Sequence, residues 1–551
     1  MKGIYLILCL TLARDIAGSI FRPQYDPRMA KLVMRPLELL SEQQSIEQHQ
    51  RDRHHPRYRP VSSEASVSRS EDSKEKPAND YTSIEYRRVE APIHDWNSAL
   101  YSTVIGEVDE RQTYDDVMRW SGKPITMVPS PPVTNEKDYQ RSSIFYDSYI
   151  TTKHMTDQEK KRFHEAYQTA VKTSTEDVQL DAPQLLAKNH YEVEEHAVKT
   201  DDGYILTMFR IPKDKEHSKE KAPVVFLMHG LLGSADDWLL MGPGKSLAYL
   251  LADAGFDVWL GNARGNKYSR RHVSKHPAQP DFWQFTTDEI ALHDLPAMID
   301  YVLNKTKQPK LVYVGHSQGT TAFFALTSTR PEYNDKITWM YAISPMVYMD
   351  NVRSPLLRMI AASYRINGGL KDDLLGKGEF KPNKSLIELA GGNMCEYQIG
   401  CKETCSNVYF VMAGINPDDI NVSRIPVILE HLPAGTSIRQ MKHFGQTAVT
   451  QEFRKYDYGV DVNEEMYGQR EPPKYNMSKV RVPVALYYSE NDWLAHPVDV
   501  DRLRRELPNV QDAYKVPEKQ FTYTDFQFSK KAPEVVYKRL IESIKTVNRE
   551  H

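Results

Sequence analysis

The stretch "YVGHSQGTTAFFAL" (residues 313–326) combines a short apolar run, a turn flanked by two glycines and the start of an apolar helix. Ser317 occupies the apex of this turn, between Gly315 and Gly319. The pattern Gly-x-Ser-x-Gly at a strand–turn–helix junction is typical of a nucleophilic serine, because the glycines permit a tight turn and leave room for the helix behind it. The helix start also directs its dipole and its free N–H groups at the serine. The stretch therefore predicts that Ser317 is a nucleophile.

The segments around this stretch alternate between strand and helix patterns. Continuous apolar runs predict buried strands, and apolar residues at helical spacing predict helices. The predicted strands are 222–230, 256–262, 310–317, 480–492 and 513–519, the predicted helices are 244–255, 286–306 and 532–547, and residues 191–212 alternate like two strands around an Asp-Gly turn. Such alternation is typical of a parallel sheet with helices on both faces.

The rest of the chain divides by composition. Lys2 followed by "GIYLILCLTLA" (3–13) and a small-residue site is the pattern of an export signal, too short to span a bilayer. Residues 41–80 have too few apolar side chains to form a core, whereas 156–174 has helical character with Thr156 as a plausible N-cap. We predict a signal peptide (1–18), a disordered polar extension (19–90), a poorly structured or partly helical extension (91–183), a first core part (184–344), a cap insertion (345–475) and a last core part (476–551).

Composition limits the partners and the chemistry of the remaining residues. The 551 residues carry a formal net charge of −3, which gives no indication of nucleic acid binding. After signal removal, Cys395, Cys401 and Cys405 remain, so at most one intramolecular disulfide forms within this odd set. Their spacing lacks a nearby histidine, so we expect no metal site. Four sequons are candidate glycosylation sites in a secretory route: Asn304, Asn383, Asn421 and Asn476.

A second motif, "MHGLLGSADDW" (228–238), directly follows a predicted core strand. Acyl transfer needs N–H donors for the developing oxyanion, and the backbone N–H groups of Leu231 and Gln318 are the candidates. We interpret His316, the neighbour of Ser317, as a wall residue of the site and not as its base. His229 is interpreted as a residue that stabilises the turn.

Several long motifs together resemble the acid lipase family, which contains the gastric and lysosomal acid lipases and many insect lipases. They are "HGLLGSADDW", "GFDVWLGNARGNKYSRRH", "FWQFTTDEIALHDLPAMIDYVL", "GHSQGTT" and "HLPAGTSIRQMKHFGQ". The resemblance runs from about residue 184 to 547 and implies an α/β-hydrolase fold: a mostly parallel central sheet, helices on both faces and an inserted helical cap or lid. It further implies cleavage of neutral-lipid acyl esters (triglycerides or cholesteryl esters), without a cofactor, in transient contact with a lipid droplet or membrane surface.

The resemblance also implies roles for individual residues. Ser317 matches the nucleophile, and Leu231 and Gln318 match the oxyanion donors. In "SENDWLAHP" (489–497) Asp492 matches the acid, which agrees with the chain order Ser…Asp…His of this fold. The histidine position falls on Tyr523, within "FTYTDFQFSKKAPEVVY" (521–537).

Tyr523 is a poor substitute for a histidine base. The base must accept the serine proton near the working pH, whereas a neutral phenol, with a pKa of roughly 10, already carries its proton. We expect Asp492 to hold that proton by a hydrogen bond. Replacement of the base by His496, or by an upstream histidine such as His229, is the alternative.

Two functions are compatible with these residues. The first is a secreted, or else lysosomal, acid-lipase-type ester hydrolase whose hydrolysis is weak or lost. The second is a catalytically silent relative that keeps a lipid-shaped pocket and acts as a lipid-binding or extracellular interaction protein.

Overall fold

The computed structural model describes residues 156–173, 176–213, 222–367, 378–382 and 407–550, together with residues 375, 384 and 387. The predicted signal peptide, the polar extension, the three cysteines and Asn383 lie outside the described residues. Within the described residues no helix combines the length and the apolar character that a membrane span requires.

Nine strands form one sheet in the order β1-β2-β4-β3-β6-β7-β8-β9, with β5 paired to β2. The neighbours from β4 through β9 pair in parallel, whereas β2 runs antiparallel to β1, β4 and β5. The strands are β1 Glu194–Lys199, β2 Tyr204–Ile211, β3 Val224–Met228, β4 Asp257–Leu260, β5 Arg271–His272, β6 Leu311–His316, β7 Ile337–Ile343, β8 Val484–Tyr488 and β9 Val510–Lys515.

The burial of each strand follows from its place in the sheet. All residues of β3, β4 and β6 are buried, because helices cover both faces of the central strands. The outer strand β9 alternates between half-buried and exposed residues. Two apolar cores result, one against each face of the sheet.

The α-helices of four or more residues whose bounds lie within the described residues flank the sheet or lie between β7 and β8. They are α1 Asp157–Thr173, α2 Ala182–Lys188, α3 Leu247–Asp253, α4 Leu295–Thr306, α5 Gln318–Thr329, α6 Pro355–Asn367, α7 Val408–Ala413, α8 Ile425–His431, α9 Ile438–Thr450, α10 Val460–Tyr467, α11 Pro497–Glu506, α12 Asp525–Phe528 and α13 Lys538–Glu550. A helical turn at Thr287–Glu289 and a π-helical segment at Ile290–Asp294 lead into α4, and a second π-helical segment at Pro533–Tyr537 leads into α13.

The predicted fold class is confirmed: the molecule has a mostly parallel central sheet with helices. The predicted strands at 222–230, 256–262 and 310–317 contain β3, β4 and β6. The predicted N-cap Thr156 accepts the N–H of Glu159 at 3.3 Å, at the start of α1. The strand predicted at 513–519 is wrong in its bounds, because its ladder with β8 already begins at Val510 and ends at Lys515.

The segment between β7 and β8 touches the loop that follows β3. The N–H of Ala434 donates to the carbonyl of Leu232 at 2.7 Å. Nδ1 of His431, at the end of α8, lies 2.7 Å from the Asp236 carboxylate, which also pairs with Lys267. These contacts fix the loop that carries the oxyanion candidate Leu231 against the predicted cap.

Burial raises the pKa of several carboxyl groups, including some that accept two or three hydrogen bonds. Burial is the largest cause in each case, and it raises the pKa of Asp237 to about 8, that of Asp525 to about 7, and those of Asp492 and Asp499 to about 6. Asp237 has the poorest surroundings, because one oxygen accepts the N–H of Ser234 at 3.3 Å and Oδ2 has no partner among the described residues.

Asp237 therefore makes folding depend on pH. The folded protein keeps this proton up to about pH 8, whereas the unfolded chain releases it near pH 4. The folded state binds more protons between these values, so the contribution of Asp237 to stability falls as the pH rises through that window. Buried histidines with a lowered pKa, such as His316, act in the opposite direction, so a single substitution is needed to isolate the effect.

We expect Asp237→Asn to raise the melting temperature at pH 7 by on the order of 5 °C and to leave it nearly unchanged at pH 4. The amide keeps the shape of the carboxyl and never ionises. Thermal unfolding of both proteins at the two pH values measures this difference. The exposed Asp461 provides the control substitution Asp461→Asn, and an equal shift at both pH values would contradict the assignment.

Candidate active site

Ser317 lies where β6 ends and α5 begins. Its backbone has φ 53° and ψ −114°, a positive φ that few residues other than glycine adopt. Such a conformation costs about 1–3 kcal/mol and persists only where its surroundings enforce it. The N–H of Ser317 donates to the carbonyl of Ile343 at 3.0 Å, which anchors the turn to the end of β7.

The two glycines of the motif are required by the packing around this turn. A Cβ atom on Gly315 would lie 2.9 Å from the carbonyl carbon of Gly319, and one on Gly319 would lie 2.5 Å from the carbonyl oxygen of Met228. Both distances are below normal contact, so α5 could not sit this close to β3 and β6 with larger residues. The spacing of the motif thus follows from the approach of the helix to the sheet.

The oxyanion candidates come from the two segments that meet at Ser317. A Cβ atom on Gly230 would lie 3.1 Å from Cβ of Ser317, so the start of the loop after β3 touches the serine. The backbone N–H groups of Leu231 and Gln318 donate to no group within the described part of the chain. Both donors are therefore available to a ligand oxygen, and their role in catalysis stays a prediction.

Asp492 follows β8 and is completely buried. Its Oδ2 accepts the hydroxyl of Ser344 at 2.6 Å, and its Oδ1 accepts the N–H groups of Leu494 and Ala495 at 2.8 Å and 2.9 Å. These donors favour the charged form, but burial outweighs them and raises the pKa of Asp492 to about 6.

Tyr523 lies beside Ser317 with no exposed surface. Its Oη would be 2.8 Å from a Cβ atom on Gly230, and its ring packs on the ring of His316 with centroids 4.6 Å apart. Burial raises the pKa of the Tyr523 hydroxyl far above its usual value, the nearby Ser317 hydroxyl lowers it, and the charge of Asp492 raises it further. The phenol therefore keeps its proton throughout the physiological range.

The expected hydrogen bond from Tyr523 to Asp492 is wrong. The Tyr523 hydroxyl has no hydrogen-bond partner among the described residues. The two carboxylate oxygens of Asp492 instead accept the three donors supplied by Ser344, Leu494 and Ala495. Asp492 acts on Tyr523 only through its charge.

Ser317 has no base within hydrogen-bond reach among the described residues. Its hydroxyl donates to Sδ of Met346 at 3.8 Å, and a thioether sulfur is a weak acceptor that takes up no proton. Its burial excludes bulk water as a substitute acceptor in this conformation.

The histidines considered as replacements are engaged elsewhere. Nε2 of His229 accepts the N–H of Ala263 at 3.1 Å, so Nδ1 carries the proton and donates to the carbonyl of Gly230 at 2.8 Å. Nδ1 of His496 lies 3.3 Å from the N–H of Val498 and caps α11. Burial lowers the pKa of each of these two imidazoles to about 4.

His316 lies in the wall of the site, where the sequence predicted it. Its ring contacts Tyr523 and, edge to face, Trp238, and neither ring nitrogen has a hydrogen-bond partner among the described residues. Burial lowers its pKa to about 3, which keeps the imidazole neutral and makes it a weak base.

Two contacts of the site were missed by the sequence analysis: Ser344, which holds Asp492, and Met346, which contacts Ser317. Both follow β7, a strand that was not predicted. The apolar run "ITWMYAI" (337–343), followed by a small polar residue, is the signal that could have found it.

The remaining predicted sites lie on the surface or outside the described residues. Asn304 and Asn476 are exposed and Asn421 is half-buried, so all three stay candidates for glycosylation. One group of described residues, Asp201, Asp202 and His293, has the spacing of cation ligands. Asp202 already pairs with both terminal nitrogens of Arg264, at 2.5 Å and 2.9 Å. Both aspartates lie exposed on the turn between β1 and β2, and His293 lies in the π-helical segment before α4.

Comparison with known proteins identifies the family. A family model described as a partial alpha/beta-hydrolase lipase region matches residues 182–242, and one described as the alpha/beta hydrolase fold matches residues 223–519. Lipase 1 of Drosophila melanogaster is 42% identical over 67% of this chain and 81% of its own length. The human lysosomal acid lipase/cholesteryl ester hydrolase is 38% identical over 66% of this chain and 90% of its own. Human gastric triacylglycerol lipase is 39% identical over 67% of this chain and 92% of its own length.

The matched regions cover 81%, 90% and 92% of these relatives' own lengths, and the alpha/beta hydrolase model alone covers more than half of this chain. The chain belongs to the acid lipase family of α/β-hydrolases.

Proposed function

We propose that this protein binds neutral-lipid acyl esters at Ser317 and hydrolyses them weakly or not at all, because Tyr523 stands at the position of the family's catalytic histidine. Ser317 would be the nucleophile, Leu231 and Gln318 the oxyanion donors, and Asp492 the acid of an incomplete triad. The protein needs no cofactor in this proposal. It is secreted, or else lumenal in lysosomes, and meets its ligand at a lipid droplet or membrane surface.

The observation that carries the proposal is the buried phenol of Tyr523 beside Ser317. The hydroxyl is buried, and its raised pKa makes it a donor at every working pH. A general base must instead accept the proton of the serine and pass it to the leaving group. Among proteases studied by mutation, loss of the histidine alone lowers turnover by on the order of 10^6.

The surroundings of Asp492 support the same conclusion. In a complete triad the acid orients the histidine and stabilises its charged form. The oxygens of Asp492 accept the Ser344 hydroxyl and two backbone N–H groups, and none of the described histidines donates a hydrogen bond to them. The acid is thus held in place without a base to act on.

A silent lipid-binding or extracellular interaction protein is the second candidate, and one observation favours it. The N–H groups of Leu231 and Gln318 and the hydroxyl of Tyr523 have no partner among the described residues. All three groups can donate a hydrogen bond to the carbonyl oxygen of an intact ester. An ester that binds without being hydrolysed would therefore give these buried donors the partner that they lack.

The names of the relatives agree with the ligand class. They include a lysosomal acid lipase/cholesteryl ester hydrolase and a gastric triacylglycerol lipase. The ester preferred by this chain is left open between triglyceride and cholesteryl ester.

We expect Tyr523→His to raise ester hydrolysis by on the order of 10^3 or more, because an imidazole at this place can accept the proton of Ser317 and lies near Asp492. Hydrolysis of a short-chain ester and of a triglyceride emulsion by purified full-length protein measures the gain. Tyr523→Phe is the matched control, since it removes the hydroxyl without adding a base, and Tyr523→His combined with Ser317→Ala should return activity to background. Ordinary lipase turnover by the native protein would overturn the proposal.

Covalent labelling tests the nucleophile separately from turnover. We expect a serine-directed phosphonate to label Ser317 slowly in the native protein and much faster after Tyr523→His, because only the latter has a base to activate the hydroxyl. Mass spectrometry of the labelled protein gives the site and the rate. Ser317→Ala should abolish labelling yet keep binding of a non-cleavable ether analogue of a triglyceride. If that analogue does not bind either form, the lipid-binding proposal fails.

A further inference from the structure

A small cleft lies between the predicted cap and the core. Its walls include Thr287 and Asp288 before α4, Thr321 of α5, Met346 after β7, and His443 and Phe444 of α9. All of these residues are buried. Met346 contacts Ser317, and the Thr321 hydroxyl donates to the carbonyl of Met346 at 2.5 Å, so the cleft shares a wall with the site.

Two acceptors face each other across this cleft. Nε2 of His443 lies 2.9 Å from the carbonyl oxygen of Arg454, which can only accept, so Nε2 carries the proton. In an imidazole that carries its proton only at Nε2, Nδ1 is an acceptor, and Nδ1 of His443 has no hydrogen-bond partner among the described residues. It lies 3.9 Å from Oδ1 of Asp288, too far for a direct hydrogen bond.

The Asp288 carboxylate also acts as an acceptor. Its Oδ1 accepts the hydroxyl of Tyr475 at 2.5 Å, and its Oδ2 accepts the N–H of Tyr456 at 2.9 Å. If Nδ1 of His443 and Oδ1 of Asp288 both act as acceptors, they need a donor between them. A water molecule has two O–H groups, so it can donate one hydrogen bond to each of these atoms.

A third polar atom completes the set. The hydroxyl of Thr287 is buried and has no partner among the described residues. It can donate to an oxygen in the cleft. A water molecule that donates twice and accepts once would satisfy all three groups, and three partners are typical of a buried water.

The size of the cleft agrees with this occupant. It offers about 10 Å³ to the centre of a water molecule, and about 10–15 Å³ is the space that one water needs. The same space is too small for an acyl chain. Most of its wall is apolar, but Thr287, Asp288 and His443 bring to it the polar atoms that a bound water needs as partners.

We propose that this cleft is the binding site of one structural water, which donates to His443 and Asp288, accepts from Thr287, and ties the cap helix α9 to the core behind Ser317. Because α9 belongs to the segment between β7 and β8, the water joins the predicted cap to the wall of the site. The proposal does not depend on whether the protein hydrolyses esters.

The direction in which Thr287→Val shifts the melting temperature tests the proposal. If water bridges the groups, Thr287→Val removes one of its partners, and we expect the melting temperature to fall by about 2–4 °C. If the hydroxyl is truly unpartnered, the same change replaces an unsatisfied buried polar group by an isosteric apolar one, and the melting temperature stays or rises. A rise would overturn the proposal.

Two other threonines calibrate the measurement. The hydroxyl of Thr436 is also buried without a partner among the described residues but does not line the cleft, so Thr436→Val should leave the melting temperature unchanged or raise it. The hydroxyl of Thr327 donates to the carbonyl of Phe323 at 2.9 Å, so Thr327→Val should lower it. Thr287→Val is expected to behave like Thr327→Val.

A high-resolution crystal structure of the full-length protein provides the direct observation. We expect density for one water within hydrogen-bond distance of Thr287 Oγ1, His443 Nδ1 and Asp288 Oδ1. Closure of the cleft, with no density between these atoms, would overturn the proposal.

Discussion

The left-handed backbone of Ser317 is the constraint on which the site depends. A residue with a side chain adopts a φ of 53° only where its neighbours enforce it. Here Gly315 and Gly319 let α5 approach β3 and β6 within distances that no Cβ atom would tolerate, and Ile343 accepts the N–H of the serine. This backbone conformation places the Ser317 side chain beside the loop that starts at Gly230. The packing of α5 on the sheet therefore fixes the position of the serine.

Position alone does not activate the serine. Burial around Ser317 favours the neutral form of a titratable group, and the pKa of each such group beside the serine is shifted toward that form. The pKa of Asp492 is raised and that of His316 is lowered, while Tyr523 keeps its proton. In the proposed function, the low dielectric would disfavour hydrolysis, because a phenol that keeps its proton cannot take up the proton of the serine.

The sequence was sufficient for the fold class and for the elbow, because both rest on local patterns. The apolar runs of β3 and β6 and the spacing of Gly315 and Gly319 carry a signal within a few residues. The strand β7, which brings Ile343, Ser344 and Met346 to the site, was not predicted, although its apolar run lies within the predicted first core part. The hydrogen bond expected between Tyr523 and Asp492 was wrong because the competing donors Ser344, Leu494 and Ala495 could not be placed from their sequence positions alone.

The sequence by itself determined the family, the strand–turn–helix at Ser317 and the absence of histidine from the segment 521–537. These follow from residue identity and short spacing, which no tertiary contact can change. Only the tertiary structure decided which groups satisfy one another. It placed Ser344 and two backbone N–H groups as donors to the Asp492 oxygens, left the Tyr523 hydroxyl without a hydrogen-bond partner among the described residues, and brought His443 of α9 to 3.9 Å from Asp288. Hydrogen bonds between residues distant in sequence depend on angles and distances of a few ångströms, and those are set by how the helices pack on the sheet.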